Sequence, residues 1–123
     1  MGEMTSKVYI VDDEKDVSLL MSKQIRALGY DVTCLYKGEG IVEKIRTEQP
    51  HLVFLDIRLP DISGIEIFKM LREDEECRGI PIVFFSAHSE QEHYCLNQLG
   101  ATGFVKKPYD LLELKALIKS ILQ

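Results

Sequence analysis

Residues 7–16 read KVYIVDDEKD. Lys7 to Val11 form a short apolar β run, and two adjacent aspartates, Asp12 and Asp13, end it. A strand that stops on two carboxylates has two readings. They cap the helix that follows, because Asp near a helix N-terminus satisfies free N–H groups and the dipole, or they hold something positively charged. A helical stripe does follow: Val17, Leu20, Met21, Ile25 and Leu28 recur on one face, and the pattern stops at Gly29, a natural C′ residue.

That strand-then-helix unit repeats along the chain. YDVTCLY (30–36) is a second strand, and a second helix runs from Gly38 to about Glu48, ended by Pro50. HLVFLD (51–56) is a continuous apolar strand of the kind buried on both faces of a parallel sheet. IRLPDISG (57–64) is turn chemistry, and IEIFKMLRED (65–74) is the third helix. IPIVFFSA (80–87) is the fourth strand, with Pro81 at its start where a missing N–H is tolerated. SEQEHYCLNQLG (89–100) gives a fourth helix, GFVKKP (103–108) a short fifth strand, and residues 111–122 the fifth helix. The stripe of that last helix (Leu111, Leu114, Leu117, Ile118, Ile121, Leu122) is core, while Leu112 falls beside Lys115 and Lys119 on a partner-facing side. Five β-then-α units in a row specify an α/β fold: a five-stranded parallel sheet with helices on both faces.

The totals bound the function. At 123 residues the chain is one domain, long enough to bury roughly two-thirds of its unfolded surface without a metal or disulfide staple. A net charge of −5 with no basic block argues against a nucleic-acid surface within the domain. Cys34, Cys77 and Cys95 are odd in number and form no C-x-x-C pair, which suits reduced thiols in a cytoplasmic protein. No apolar run approaches the ~20 residues of a membrane span, and no secretory signal opens the chain. The first six residues, MGEMTS, match the myristoylation pattern, but so short a pattern recurs by accident, and Gly2 is equally a cloning remnant. Residues 1–6 are read as a tail and 7–123 as the domain.

In parallel sheets of this kind, ligands bind beyond the carboxyl ends of the strands. Strand one ends in Asp12 and Asp13, strand three in Asp56, strand four in Ser86 and strand five in Lys106-Lys107-Pro108; strand two ends in nothing reactive. Three carboxylates alone would repel one another and hold a proton. A hard divalent cation relieves that, and Mg²⁺ takes a few carboxylate oxygens, waters and phosphate. A lysine and a hydroxyl supply what the remaining phosphoryl oxygens need. The strand ends read as a phosphoryl-transfer site with Mg²⁺.

Asp12-Asp13, the lone Asp56 with LPDISG behind it, FFSA, and GATGFVKKP, in that order, resemble the receiver domain of two-component response regulators. The likeness runs from about Lys7 to the end of the last helix. It implies the flavodoxin-like doubly wound sheet of order 2-1-3-4-5. It implies that Asp56 accepts a phosphoryl group from a phosphohistidine on a histidine kinase or phosphotransfer protein. Asp13 and Asp56 would bind Mg²⁺ directly, Asp12 through water, with the Arg58 backbone carbonyl contributing. Lys107 would contact the phosphoryl oxygens, the Lys107–Pro108 bond would be cis as is common in the family, and Lys106 would point away, since successive strand residues face opposite sides. Ser86 and Phe104 would switch with phosphorylation and remodel the surface of helix 4, strand 5 and helix 5, which also serves a homodimer. Arg58 and His88, each two residues beyond a site residue, would flank the line of water attack and tune the phosphoryl lifetime.

Plainer readings stand beside these. Asp56 by itself is an ordinary loop residue, Ser86 a helix N-cap (with Ser89 the better candidate), Lys107 a solvated lysine and Phe104 core packing. His51, His88 and His93 lack i, i+4 ligand spacing. The rival function is a Mg²⁺-dependent Asp-nucleophile phosphatase on a similar sheet. Such enzymes usually carry the nucleophile in D-x-D after the first strand, whereas this chain has D-D and no cap domain. A phosphatase turns over; a receiver, which is not an enzyme in that sense, stops at one phosphoryl group per chain.

Overall fold

The computed structural model describes residues 5–123, so most of the MGEMTS pattern lies outside the described residues. Five strands form one parallel sheet: β1 (Lys7–Val11), β2 (Asp31–Leu35), β3 (Leu52–Leu55), β4 (Ile82–Ser86) and β5 (Gly103–Lys106), in the order β2-β1-β3-β4-β5. The helices are α1 (Lys15–Arg26), α2 (Ile41–Glu48), α3 (Gly64–Glu73) and α4 (Leu111–Leu122).

Period-two alternation splits the strands between two cores. Tyr9, Val11, Val53, Leu55, Ile82 and Phe84 face α2 and α3, where Ile41, Ile45, Ile67, Phe68 and Leu71 are buried. Val8, Ile10, Phe54, Val83, Phe85 and Val105 face α1 and α4, meeting Met21, Ile25, Leu114 and Ile118. Both faces of the central strands are therefore dry, as the continuous apolar run in 51–56 implies. No helix among the described residues is long and apolar enough to cross a membrane.

Three expectations need correction. The buried face of α1 runs Ser18, Met21, Ser22, Ile25, and Leu20 is 55% exposed. The serines fit because their hydroxyls are satisfied on backbone carbonyls, Ser18 on Asp12 O at 3.4 Å and Ser22 on Leu19 O at 2.8 Å. The second helix begins at Ile41 rather than Gly38, because Gly40 sits at φ 77°, outside helical geometry. Residues 89–100 do not form a regular fourth α-helix. A 3₁₀ turn at Ser89–Gln91 leads into a π-helical turn at Tyr94–Gln98, where Leu99 N donates to Tyr94 O and Gly100 turns left-handed. Only Cys95 of the π turn is buried, so no broad apolar face forces a uniform pitch. No side chain caps the 3₁₀ turn, so Ser89 is not the cap read from the sequence.

Candidate functional site

Register brings the strand ends level. Val11 pairs with Leu55, Asp56 N donates to Val11 O at 2.9 Å, and Lys107 N donates to Ser86 O at 3.0 Å. Each of three strand ends then closes with the same local bond, in which a side-chain oxygen accepts the N–H two residues on. Asp12 Oδ1 accepts from Glu14 N (3.0 Å), Asp56 Oδ1 from Arg58 N (3.2 Å) and Ser86 Oγ from His88 N (3.0 Å). These bonds fix three polar side chains at the sheet edge before any long-range contact is made. Gly64 opens α3 hard against this edge: a Cβ there would lie 2.0 Å from Asp56 O.

The long-range contact is Lys107, which lies just past the end of β5 and is joined to Pro108 by a cis peptide bond. Its Nζ lies 2.6 Å from Asp12 Oδ2, 2.7 Å from Glu14 Oε1 and 3.2 Å from Asp56 Oδ2, and 4.7 Å from the Phe85 ring centre. Lys106 instead pairs with Glu92 at 3.5 Å. Asp12 and Ser86 are fully buried and Asp56 is 5% exposed. Oxygens of Asp12, Asp13 and Asp56 lie within 4.8 Å of one another, with Asp13 open to solvent.

One ammonium does not balance this cluster. Burial pushes the Asp56 carboxyl up to about 6; Lys107 pulls it down and Asp12 pushes it further up. Burial works against the Lys107 charge too, but Asp12, Glu14 and Asp56 overcome it and hold its pKa above the ordinary lysine value. Asp12 Oδ2 meets the Lys107 ammonium as an ion pair yet accepts no well-directed hydrogen bond. A buried carboxylate oxygen without a directed partner, beside two more carboxylates, is a donor set that suits a hard divalent cation.

The chain matches the model of the response regulator receiver domain over residues 8–119. It belongs to that family. Receiver domains are signalling domains of two-component systems, where they work with histidine kinases or phosphotransfer proteins. The receiver is 36% identical over 121 residues to the alkaline phosphatase synthesis transcriptional regulatory protein PhoP of Bacillus subtilis, covering 98% of this chain and 50% of that protein. It superposes on the response regulator DrrB of Thermotoga maritima with a TM-score of 0.82 at 30% identity, covering 97% of this chain and 53% of that one. It thus spans about half the length of both relatives. The receiver domain of a sensor histidine kinase from Pseudomonas aeruginosa, solved with a magnesium ion coordinated in its active-site cleft, aligns with a TM-score of 0.86 at 25% identity over 96% of this chain and 98% of that one.

The side chains of Arg58, His88 and Phe104 stay out of the carboxylates' hydrogen-bond network, although the Arg58 backbone N–H belongs to it. Arg58 is exposed and makes no ion pair among the described residues, and His88 Nδ1 turns to Glu90 Oε1 at 3.4 Å. Phe104 is half-buried against the core on the α2–α3 side. Two acidic residues of the receiver escaped sequence reading. Glu14 shares Lys107, and its signal was its place directly behind the aspartate pair. Asp61 binds a second loop through its carboxylate, and nothing local in LPDISG marks that partner.

Proposed function

We propose that Asp56 is the phosphoacceptor of a two-component receiver. The observation that carries this is the shared lysine: Lys107 reaches Asp12 and Asp56 together at a buried, carboxylate-rich sheet edge. An Asp56 oxygen attacks the phosphorus of a phosphohistidine on a histidine kinase or phosphotransfer protein. The new P–O bond gives an acyl phosphate as the P–N bond breaks, and the ring, protonated on its other nitrogen, leaves as neutral imidazole. Asp13 and Asp56 would hold Mg²⁺ directly and Asp12 through water, with the Arg58 backbone carbonyl contributing. When bound, Mg²⁺ neutralises charge on the phosphoryl oxygens. Lys107 is placed to pair with another phosphoryl oxygen once Asp56 no longer occupies it.

Ser86 then exchanges its bond to His88 N for one to the phosphoryl group, and Phe104 changes rotamer. The face made by residues 89–98, β5 and α4, anticipated as helix 4, strand 5 and helix 5, is remodelled for an output or a homodimer. The irregular backbone of 89–98 suits a segment with two arrangements. A groove of about 450 Å³ runs beside Lys107, walled by Val17, Leu20, Tyr109 and Leu111, and offers the phosphohistidine-bearing partner an apolar approach. The exposed Leu20 thereby gains a reason. Residues 7–123 are the receiver domain and 1–6 a tail. The three free cysteines suit a cytoplasmic setting, and the net charge of −5 suits no nucleic acid.

Incubation with Mg²⁺ and acetyl phosphate, followed by intact mass, tests this reading. One labile phosphoryl addition is expected on wild type and none on Asp56→Asn or in EDTA. Sustained release of phosphate would move the assignment to the Asp-nucleophile phosphatase. Arg58 and His88 are assigned to phosphoryl lifetime, with the exposed Arg58 guanidinium shielding the acyl phosphate from water. An Arg58→Ala variant whose acyl phosphate decays at the wild-type rate would end that assignment.

A further inference from the structure

The loop from β3 to α3, residues 57–63, is held at both ends. At its base, Gly64 N donates to Ile57 O at 2.7 Å, and Arg58 pairs with Ser63 as an isolated antiparallel bridge. At its tip, Asp61 Oδ1 accepts from Gly38 N at 2.8 Å and Oδ2 from Glu39 N at 2.7 Å. Both carboxylate oxygens are spent on one remote loop, the connection from β2 to α2. The contact is also packed: a Cβ on Gly38 would lie 2.2 Å from Ile62 Cγ2 and 2.7 Å from Ile67 Cδ1. A glycine at 38 leaves room for the Ile62 and Ile67 side chains to pack against its backbone. Charge-assisted bonds from N–H groups just ahead of α2 hold the Asp61 carboxyl below the usual carboxylate range.

We infer that Asp61 is a positioning residue of the acceptor site. By pinning the tip of loop 57–63 to the β2–α2 connection, it holds in place the Arg58 backbone, whose N–H donates to Asp56 Oδ1 and whose carbonyl would contribute to the metal site. Mg²⁺ affinity at Asp56 then depends on a carboxylate that lies outside the metal-binding set. The inference rests on the Mg²⁺-dependent phosphoacceptor reading above. Gly38 is the second half of the clamp, because a side chain there would press on Ile62 and Ile67 and push apart the two loops that the Asp61 hydrogen bonds join.

The test compares wild type with Asp61→Ala, Asp61→Asn and Gly38→Ala. Asp74→Ala serves as a control at the far end of α3, losing both the pair with Arg46 and the bond that Asp74 Oδ1 accepts from Glu76 N. Three quantities are measured: Mg²⁺ affinity by calorimetry, amide hydrogen exchange of residues 56–63 in metal-free protein, and the thermal midpoint. Asp61→Ala is expected to speed exchange across the loop and to weaken Mg²⁺ binding about tenfold, the low end for residues that orient a metal ligand. Gly38→Ala should do the same with Asp61 intact, and Asp61→Asn, with one acceptor oxygen left, should fall between. The control should lower the midpoint and bind Mg²⁺ as wild type does. If Asp61→Ala and Gly38→Ala lower the midpoint but bind Mg²⁺ like wild type, Asp61 only staples a surface loop and the inference is overturned. A wild type that takes up no Mg²⁺ sinks the phosphoacceptor reading, and this inference with it.

Discussion

Two clusters in this receiver place one cation among several carboxylates, and they behave in opposite ways. Lys107 meets Asp12, Glu14 and Asp56 at the carboxyl edge of the sheet. Arg46, on α2, meets Asp74 through Nε at 2.8 Å and Nη2 at 2.6 Å, and Glu43 through Nη1 at 2.9 Å. The Lys107 side chain is 9% exposed and that of Asp12 is fully buried, whereas Arg46 is 35%, Glu43 78% and Asp74 14% exposed. Hydrogen bonds from Arg46 hold the Asp74 carboxyl below its ordinary value, while burial lifts that of Asp56 to about 6. Ion pairing is common to both, so it does not mark function. Burial with too few positive charges does, because such a cluster must recruit a proton or a cation.

The comparison breaks most visibly on removing each cation. Lys107→Met should cost metal-free protein about 3 kcal/mol at neutral pH, the low end for breaking a buried pair, since Asp56 can take up a proton. Arg46→Met should leave the denaturant midpoint close to wild type. Equal losses at the two sites would mean that burial does not distinguish them. Mg²⁺ supplies the missing charge by another route. At a hundredfold excess over its dissociation constant it should stabilise wild type by about 2.7 kcal/mol, and EDTA should reverse this. Asp56→Asn, lacking the central carboxylate, should respond far less.

A smaller effect sharpens the contrast through pH. The folded pKa of Asp56, about 6, lies above its ordinary value of 3.8, so the native state binds the extra proton. Neutral Asp56 therefore contributes stability that is fully present below about pH 4 and is lost as pH rises through about 6. Without metal, Asp56→Asn should exceed wild type by roughly 2 kcal/mol at pH 7.5 and match it at pH 4. Mg²⁺ binding to wild type should weaken below about pH 6, where protons compete for the same oxygen. A variant no more stable than wild type at pH 7.5 would show that Lys107 already offsets the burial of Asp56.

What the sequence disclosed follows the range of the interactions. The alternation of strands and helices is local, and so was legible. Asp12, Asp56, Ser86 and Lys107 were legible because each ends a strand, and a parallel sheet gathers such ends by topology alone. Glu14 was missed because an acid at a helix start has a sufficient local explanation, and only the fold brings Lys107 to it. Leu20 was placed on the apolar stripe of the first helix because apolar spacing alone cannot show that satisfied serines take the buried face. Residues 89–100 were read as a fourth helix because their composition permits one. The pitch of residues 89–98 is decided by contacts beyond them: Gly100, and Ala101 N donating to Cys95 O.

The smallest expected effect lies in the Arg46 cluster and runs the other way with pH. The depressed carboxyl of Asp74 contributes stability that is present above its ordinary value of 3.8 and is lost as pH falls. Asp74→Asn should therefore differ from wild type near neutrality and converge with it in acid, which is the reverse of Asp56→Asn. Because Arg46 and Glu43 reach solvent, 0.5 M salt should shrink the difference, whereas the buried Asp56 effect should survive the same salt. Thermal midpoints of both variants across pH, at two salt concentrations, separate the two clusters without any phosphodonor. If the two variants shared one pH slope or one salt response, the distinction between an incomplete buried site and a complete surface pair would fail.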